Sequence, residues 1–140
     1  MSESITDRPL PEITPRMRPF WDAARESRLM LQRCAHCRAW HFPAIEICSR
    51  CLAGDALGWN EASGRGVVLS YVVMHHVYHP AFAANAPYQV IDVRLDEGPR
   101  MIARLADDVR DAPRVGMQVE VAFVRASDDI RLPVFRPLAA

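Results

Sequence analysis

Residues 33–51 read RCAHCRAWHFPAIEICSRC and hold every cysteine of the 140-residue chain as two Cys-x-x-Cys pairs, Cys34/Cys37 and Cys48/Cys51, separated by ten residues. Four gathered thiols have three chemical uses: two disulfides, a redox-active dithiol, or a metal held by thiolates. Compartment and spacing choose between them. The opening residues MSESITDRPLPEITP contain no apolar run of signal-peptide length, and no later stretch approaches the roughly 18 uninterrupted apolar residues of a membrane span. The expected location is therefore cytoplasmic, where thiols stay reduced. One Cys-x-x-Cys can be a redox motif, whereas two at this separation close from opposite sides on a single tetrahedral ion.

Catalytic zinc keeps three protein ligands and an open position, but four thiolates fill the tetrahedron. Cys34, Cys37, Cys48 and Cys51 thus read as a structural Zn(2+) staple, with iron the other ion suited to four sulfurs. His36 and His41 lie in the same segment and are read as surface residues of the ribbon, because softer ligands already complete the set.

The rest of the chain can bury one real core beside this small metal-held piece. Its 17 positive and 17 negative side chains balance, every positive one is arginine, and the two signs are spread evenly along the chain. No basic stripe exists to track a phosphate backbone.

Residues 1–15 are polar and proline-rich and read as a flexible arm. RPFWDAARESR, residues 18–28 within a helical region of 16–30, places Pro19 at a helix start and Phe20, Trp21 and Ala24 on one side. That short amphipathic helix either packs on its own domain or docks a partner. Residues 31–60 form the ribbon, with LMLQR entering the first cysteine pair and WHF leaving it. From 61 to 140 the period becomes that of strands, expected at Arg65–His76, Tyr88–Leu95, Arg100–Ala106, Gln118–Val124 and Leu132–Pro137. Ile91, Val93 and Leu95 alternate with Asp92 and Arg94, and Asp96–Gly98 makes the tight turn that follows. The class is mainly β: an N-terminal helix, a zinc ribbon, and a five-stranded Greek-key barrel of the OB type with its own core.

Taken in order, LMLQRCAHC, CSRC, GRGVVLSYVV, PYQVIDVRLDEG, RVGMQVEVAF and LPVFRP resemble the thiolase-associated family of small proteins that join a rubredoxin-like zinc ribbon to an OB-fold domain. The resemblance covers residues 15–138. It implies a non-catalytic accessory subunit that sits beside a thiolase-like or lipid-transfer-type enzyme and helps handle acyl-CoA in lipid or steroid side-chain metabolism. That family usually places glycine after the second cysteine of each pair, where this chain has Arg38 and Leu52. Glycine tolerates the positive φ such knuckles use, so these two positions carry the main departure.

Two other function classes compete. OB barrels often bind single-stranded nucleic acid, but such binders combine a positive groove with stacking aromatics, and this chain has no net charge. An enzyme would have to rest on HHVYHP, where His75, His76 or His79 could act as a base, without a companion nucleophile or carboxylate motif. The segment HHVYHPAFAANAPY, residues 75–88, is too long for a hairpin turn and contains no Asp, Glu, Lys or Arg. It reads either as a plug for one end of the barrel or as a surface for a partner or acyl-CoA. The candidates for that surface are Phe20, Trp21, His76, Tyr78, His79, Phe82 and Tyr88.

Overall fold

The computed structural model describes residues 8–138, so residues 1–7 of the arm read at 1–15 lie outside the described residues. Helix α1 (Arg18–Arg25) begins with Pro19 in its first turn and buries Phe20, Ala23 and Ala24. It ends where Ser27 takes φ 60°, with the Arg28 amide donating to the Ala23 carbonyl and the Ser27 amide to the Ala24 carbonyl, 3.0 Å each. That left-handed stop turns the chain into strand β1.

Three antiparallel strands make the ribbon sheet in the order β2–β1–β3: β1 (Met30–Cys34), β2 (Trp40–His41) and β3 (Leu57–Glu61). The two arms flanking the first cysteine pair are as read from the sequence. The third strand is an addition, paired with β1 along its whole length from Met30↔Glu61 to Cys34↔Leu57. Gln32, buried at the centre of β1, donates to the Ile45 carbonyl and accepts from the Ile45 amide, both at 2.9 Å. Its side chain thereby satisfies itself and pins the link between the cysteine pairs.

Strands β4 (Arg65–Met74), β5 (Tyr88–Leu95), β6 (Arg100–Leu105), β7 (Gln118–Arg125) and β8 (Arg131–Pro137) close a barrel in the order β4–β5–β6–β8–β7. Only the β6–β8 pair is parallel. This is the OB order expected from the five strands, and strand ends differ from the reading by two residues or fewer. Gly66 is required by close approach, because a Cβ there would lie 2.5 Å from the Arg94 carbonyl oxygen. Gly98 holds the β5–β6 turn at φ 118°.

Val68, Ile91, Val93, Leu95, Met101, Leu105, Val119 and Phe135 fill the barrel, and they belong to one buried cluster that continues through Ala62 to Leu29, Leu31 and Phe20. The separate barrel core expected from the sequence is therefore not separate: ribbon, helix and barrel share apolar contacts. The reason is topological. β6 and β8 pair only at Arg104↔Val134 and Leu105↔Phe135, and α1 packs against β1 and β8 beside that short seam.

Candidate functional site

The four cysteines are brought together by two turns of the same kind. After each pair a backbone amide closes the knuckle, Arg38 N–H to the Cys34 carbonyl at 2.8 Å and Leu52 N–H to the Cys48 carbonyl at 2.9 Å. Both closing residues lie at positive φ, 68° for Arg38 and 66° for Leu52. The knuckles thus keep the geometry that glycine would adopt freely, at the cost of a strained β-carbon. Leu52 gains nothing from burial to offset this, being 76% exposed. Leu52→Gly is expected to raise the ribbon's resistance to chelator-induced unfolding by about 0.5–1 kcal/mol, less than the full strain because glycine also loses more backbone entropy. A chelator titration followed by thermal unfolding measures this, and a less stable ribbon would contradict it.

All four sulfurs lie within 4.8 Å of one another, with Cys34–Cys51 at 3.7 Å and Cys37–Cys48 at 3.5 Å. A tetrahedron with Zn–S bonds of about 2.3 Å needs edges of about 3.8 Å, so the donor set fits the ion. The thiols are pulled in opposite directions. The Cys51 amide is the main cause that brings Cys48 down to about 5, helped by the Arg50 amide and His41, and the Cys37 amide lowers Cys34. Cys51 has its own donor in the Ala53 amide, yet burial and the three neighbouring sulfurs push it up to about 12. Four thiolates in so small a volume repel one another, and a divalent cation at the centre removes that repulsion. The chain carries a rubredoxin-like zinc ribbon whose cysteines are positioned to bind a metal ion, and the role of such an ion is structural.

His41 was read as a surface residue, but it is half-buried and its Nε2 lies 3.3 Å from the Cys48 sulfur. It belongs to the shell around the ligands, while His36 is exposed as expected. Nothing in the spacing of the cysteines marks this contact; only the β1–β2 register, which sets His41 opposite Gln32, produces it.

The candidate partner residues divide into two groups. Phe20 is a correction: at 2% exposure it sits in the core and only backs the cavity beside Trp21. Trp21, edge-on to Phe20 at 4.9 Å, is half-buried and helps line a cavity of about 330 Å³ with Met17, Phe42, Leu132 and Pro133. The remaining five lie on the arm formed by the ends of β4 and β5 and their connection. His76 and Tyr78 are exposed and stack edge to face at 4.4 Å. His79 caps a 3₁₀ turn, Pro80–Asn85, by accepting the Ala81 amide on Nδ1 at 3.1 Å. Phe82 faces Tyr88, with the Arg8 guanidinium 5.2 Å from the first ring and that of Arg104 4.8 Å from the second. Arg8 and Arg104 also reach the cavity beside Trp21, so they join the two groups.

None of residues 80–85 is buried, and the connection does not plug the barrel. Tyr71, Val72 and Val73 on β4 are exposed as well, at 42%, 54% and 40%, and Tyr78 reaches 78%. These three β4 residues were read only as strand. The signal that marks them is the absence of any Asp, Glu, Lys or Arg from Gly66 to Ile91. No helix among the described residues is long and apolar enough to cross a membrane.

Comparison with known proteins follows this division of the chain. Residues 21–57 match the family described as the ChsH2 rubredoxin-like zinc ribbon domain, and residues 59–124 match the ChsH2 C-terminal OB-fold domain. A probable enoyl-CoA hydratase alpha subunit of Thermomonospora curvata is 41% identical over 133 residues, which is 93% of this chain but 40% of that protein. This chain thus spans well under half of that relative's length. A DUF35 domain-containing scaffold protein of Methanocaldococcus jannaschii is 35% identical over 97 residues, 69% of this chain and 68% of the relative. A solved structure described as "Ltp2-ChsH2(DUF35) aldolase" contains a chain that is 38% identical and superimposes with a TM-score of 0.79, covering 91% of this chain and 98% of that one. The chain therefore belongs to the DUF35 family of ChsH2-type proteins, in which a rubredoxin-like zinc ribbon precedes an OB-fold domain.

Proposed function

We propose that this chain is a non-catalytic accessory subunit that binds a thiolase-like or lipid-transfer-type enzyme and helps that enzyme handle acyl-CoA substrates. The observation that carries the reading is the match, over nearly the full length of both chains, to a chain in a structure titled as an Ltp2–ChsH2(DUF35) aldolase. Of the relatives' names, the scaffold supports a non-catalytic role, and the probable enoyl-CoA hydratase alpha subunit supports only the acyl-CoA setting. The geometry agrees in two respects. The four-cysteine centre has no open position for substrate if all four sulfurs are ligands, which makes it a staple for the ribbon and not a reaction centre. The exposed aromatic and aliphatic arm at residues 71–88 is the kind of surface that a partner covers.

The partner surface in this reading is Trp21, His76, Tyr78, His79, Phe82 and Tyr88. Tyr78→Ala combined with Phe82→Ala is expected to change stability by about 1 kcal/mol or less, because neither ring is buried in the barrel. The same double variant is expected to lose at least tenfold of the thiolase-like enzyme that co-purifies with the tagged chain. Intact co-purification by a folded double variant would remove the arm from the functional surface. Turnover of acyl-CoA by the isolated chain would overturn the non-catalytic role.

A further inference from the structure

We infer that the free edge of β4 at Ser70–Met74 is completed, in the working complex, by an extended, uncharged segment of the partner enzyme that adds to the sheet as a strand. The inference rests on the accessory-subunit reading and names how the partner is held.

On one side β4 pairs with β5 from Gly66 to Met74. On the other it pairs with β7 only at Arg65–Val67, with Val68 bonded both ways to Gly116 and Met117. From Ser70 onward the alternate N–H and C=O groups on that side meet no main-chain partner among the described residues. β6 meanwhile reaches β5 only as far as Val90. Beyond that point the sheet is two strands wide, and a two-stranded ribbon is marginal in water until a third strand joins it.

Apart from the bulge between Val68 and Ser70, where it begins, the edge has little that keeps such strands from pairing. It carries no charged residue and no proline, and its exposed side chains are Ser70, Tyr71, Val72 and Val73. A charged or helical ligand would leave the main-chain groups unmet, whereas an extended polypeptide supplies donors and acceptors at the right repeat. A groove of about 170 Å³ runs from Ser70 and Val72 across β5 at Val90 to the 71%-exposed Ile102 on β6, so the exposed apolar surface continues inward from the edge. The one carboxylate there, Asp92, is held by Arg100, so the groove presents no free charge. Exposed apolar side chains continue from this edge through Val77 to Tyr78 in the β4–β5 connection. A second copy pairing edge to edge covers β4 alone, whereas an enzyme that contacts Tyr78 and Phe82, as proposed above, extends the same contact onto this edge.

The test uses the full chain and the thiolase-like enzyme that co-purifies with it. Neighbouring amides point to opposite sides, so one of Val72→Pro and Val73→Pro removes a bond to β5 and the other removes only an outward amide. The expected result is that the variant with an unchanged melting temperature loses at least 30-fold of the partner. Hydrogen exchange at Ser70–Met74 in the wild-type complex should slow at least 100-fold relative to the isolated chain. A well-folded proline variant that keeps the partner, or amides that stay fast in the complex, would overturn strand addition while leaving the accessory role intact. Failure of any thiolase-like enzyme to co-elute with the wild-type chain would overturn both. A dimer of the isolated chain with these same amides protected would assign the edge to a second copy instead.

Discussion

Cys48→Ser is expected to leave the chain without bound zinc and to unfold the ribbon at room temperature. The ribbon buries Cys34, Cys48 and Leu31 fully and Trp40, Phe42 and Trp59 only in part, too little apolar surface to form a core of its own. A unit that small takes most of its folding free energy from the ion, with apparent zinc binding worth about 10–16 kcal/mol in comparable small domains. Serine is a harder, less acidic ligand, and it would leave three thiolates around an incomplete site. The barrel should persist, because its strands are closed on one another. It should nevertheless melt at a lower temperature, since Leu29, Leu31 and Phe20 cover its apolar cluster only while the ribbon and helix are in place. Metal analysis with thermal unfolding of the same sample measures both effects. A ribbon that stays folded without metal would contradict the staple, and an unchanged barrel melting temperature would contradict the shared core.

Phe20→Ala is expected to cost about 3–5 kcal/mol, the usual loss for an emptied aromatic site, and to lower the melting temperature by roughly 10–17 °C. Phe20 is the largest side chain that α1 buries, and it packs on Trp21 at 4.9 Å and on Phe42 at 5.4 Å. It also joins the helix to the cluster that runs through the barrel. The neighbouring Trp21→Ala should cost far less, because Trp21 is half-buried at the rim of the 330 Å³ cavity. Urea unfolding of the two variants compares them. A Phe20→Ala protein as stable as the wild type would mean that α1 does not cover the barrel.

The two residues also show where sequence reading reached its limit. Adjacent aromatics on a helix lie about 100° apart, so one can face the core while the other faces solvent. Pattern alone put Phe20 and Trp21 on one side; the direction of the core was set by a barrel more than forty residues downstream. The five barrel strands were legible because residues such as Ile91, Val93 and Leu95 alternate with polar neighbours. Strand β3, LGWNE, was not, because Gly58 and Asn60 weaken its strand signal and its stability comes from pairing with β1. The positive φ at Arg38 and Leu52 was signalled only through the resemblance, whose members place glycine there, and the two non-glycine side chains spoke against it; the His41 contact depends on cross-strand register. Whether residues 75–88 plug or project was not legible, since an apolar composition serves either fate.

The central claim is that a zinc-stapled, non-catalytic chain works by binding a thiolase-like enzyme. Native mass spectrometry of the tagged chain purified from its own cells tests it most directly, because one spectrum reports metal, partner and stoichiometry together. The predicted result is an assembly containing this chain, one zinc per chain and a thiolase-like or lipid-transfer-type subunit. A metal-free chain, or a chain found alone or with single-stranded nucleic acid in place of an enzyme, would contradict it.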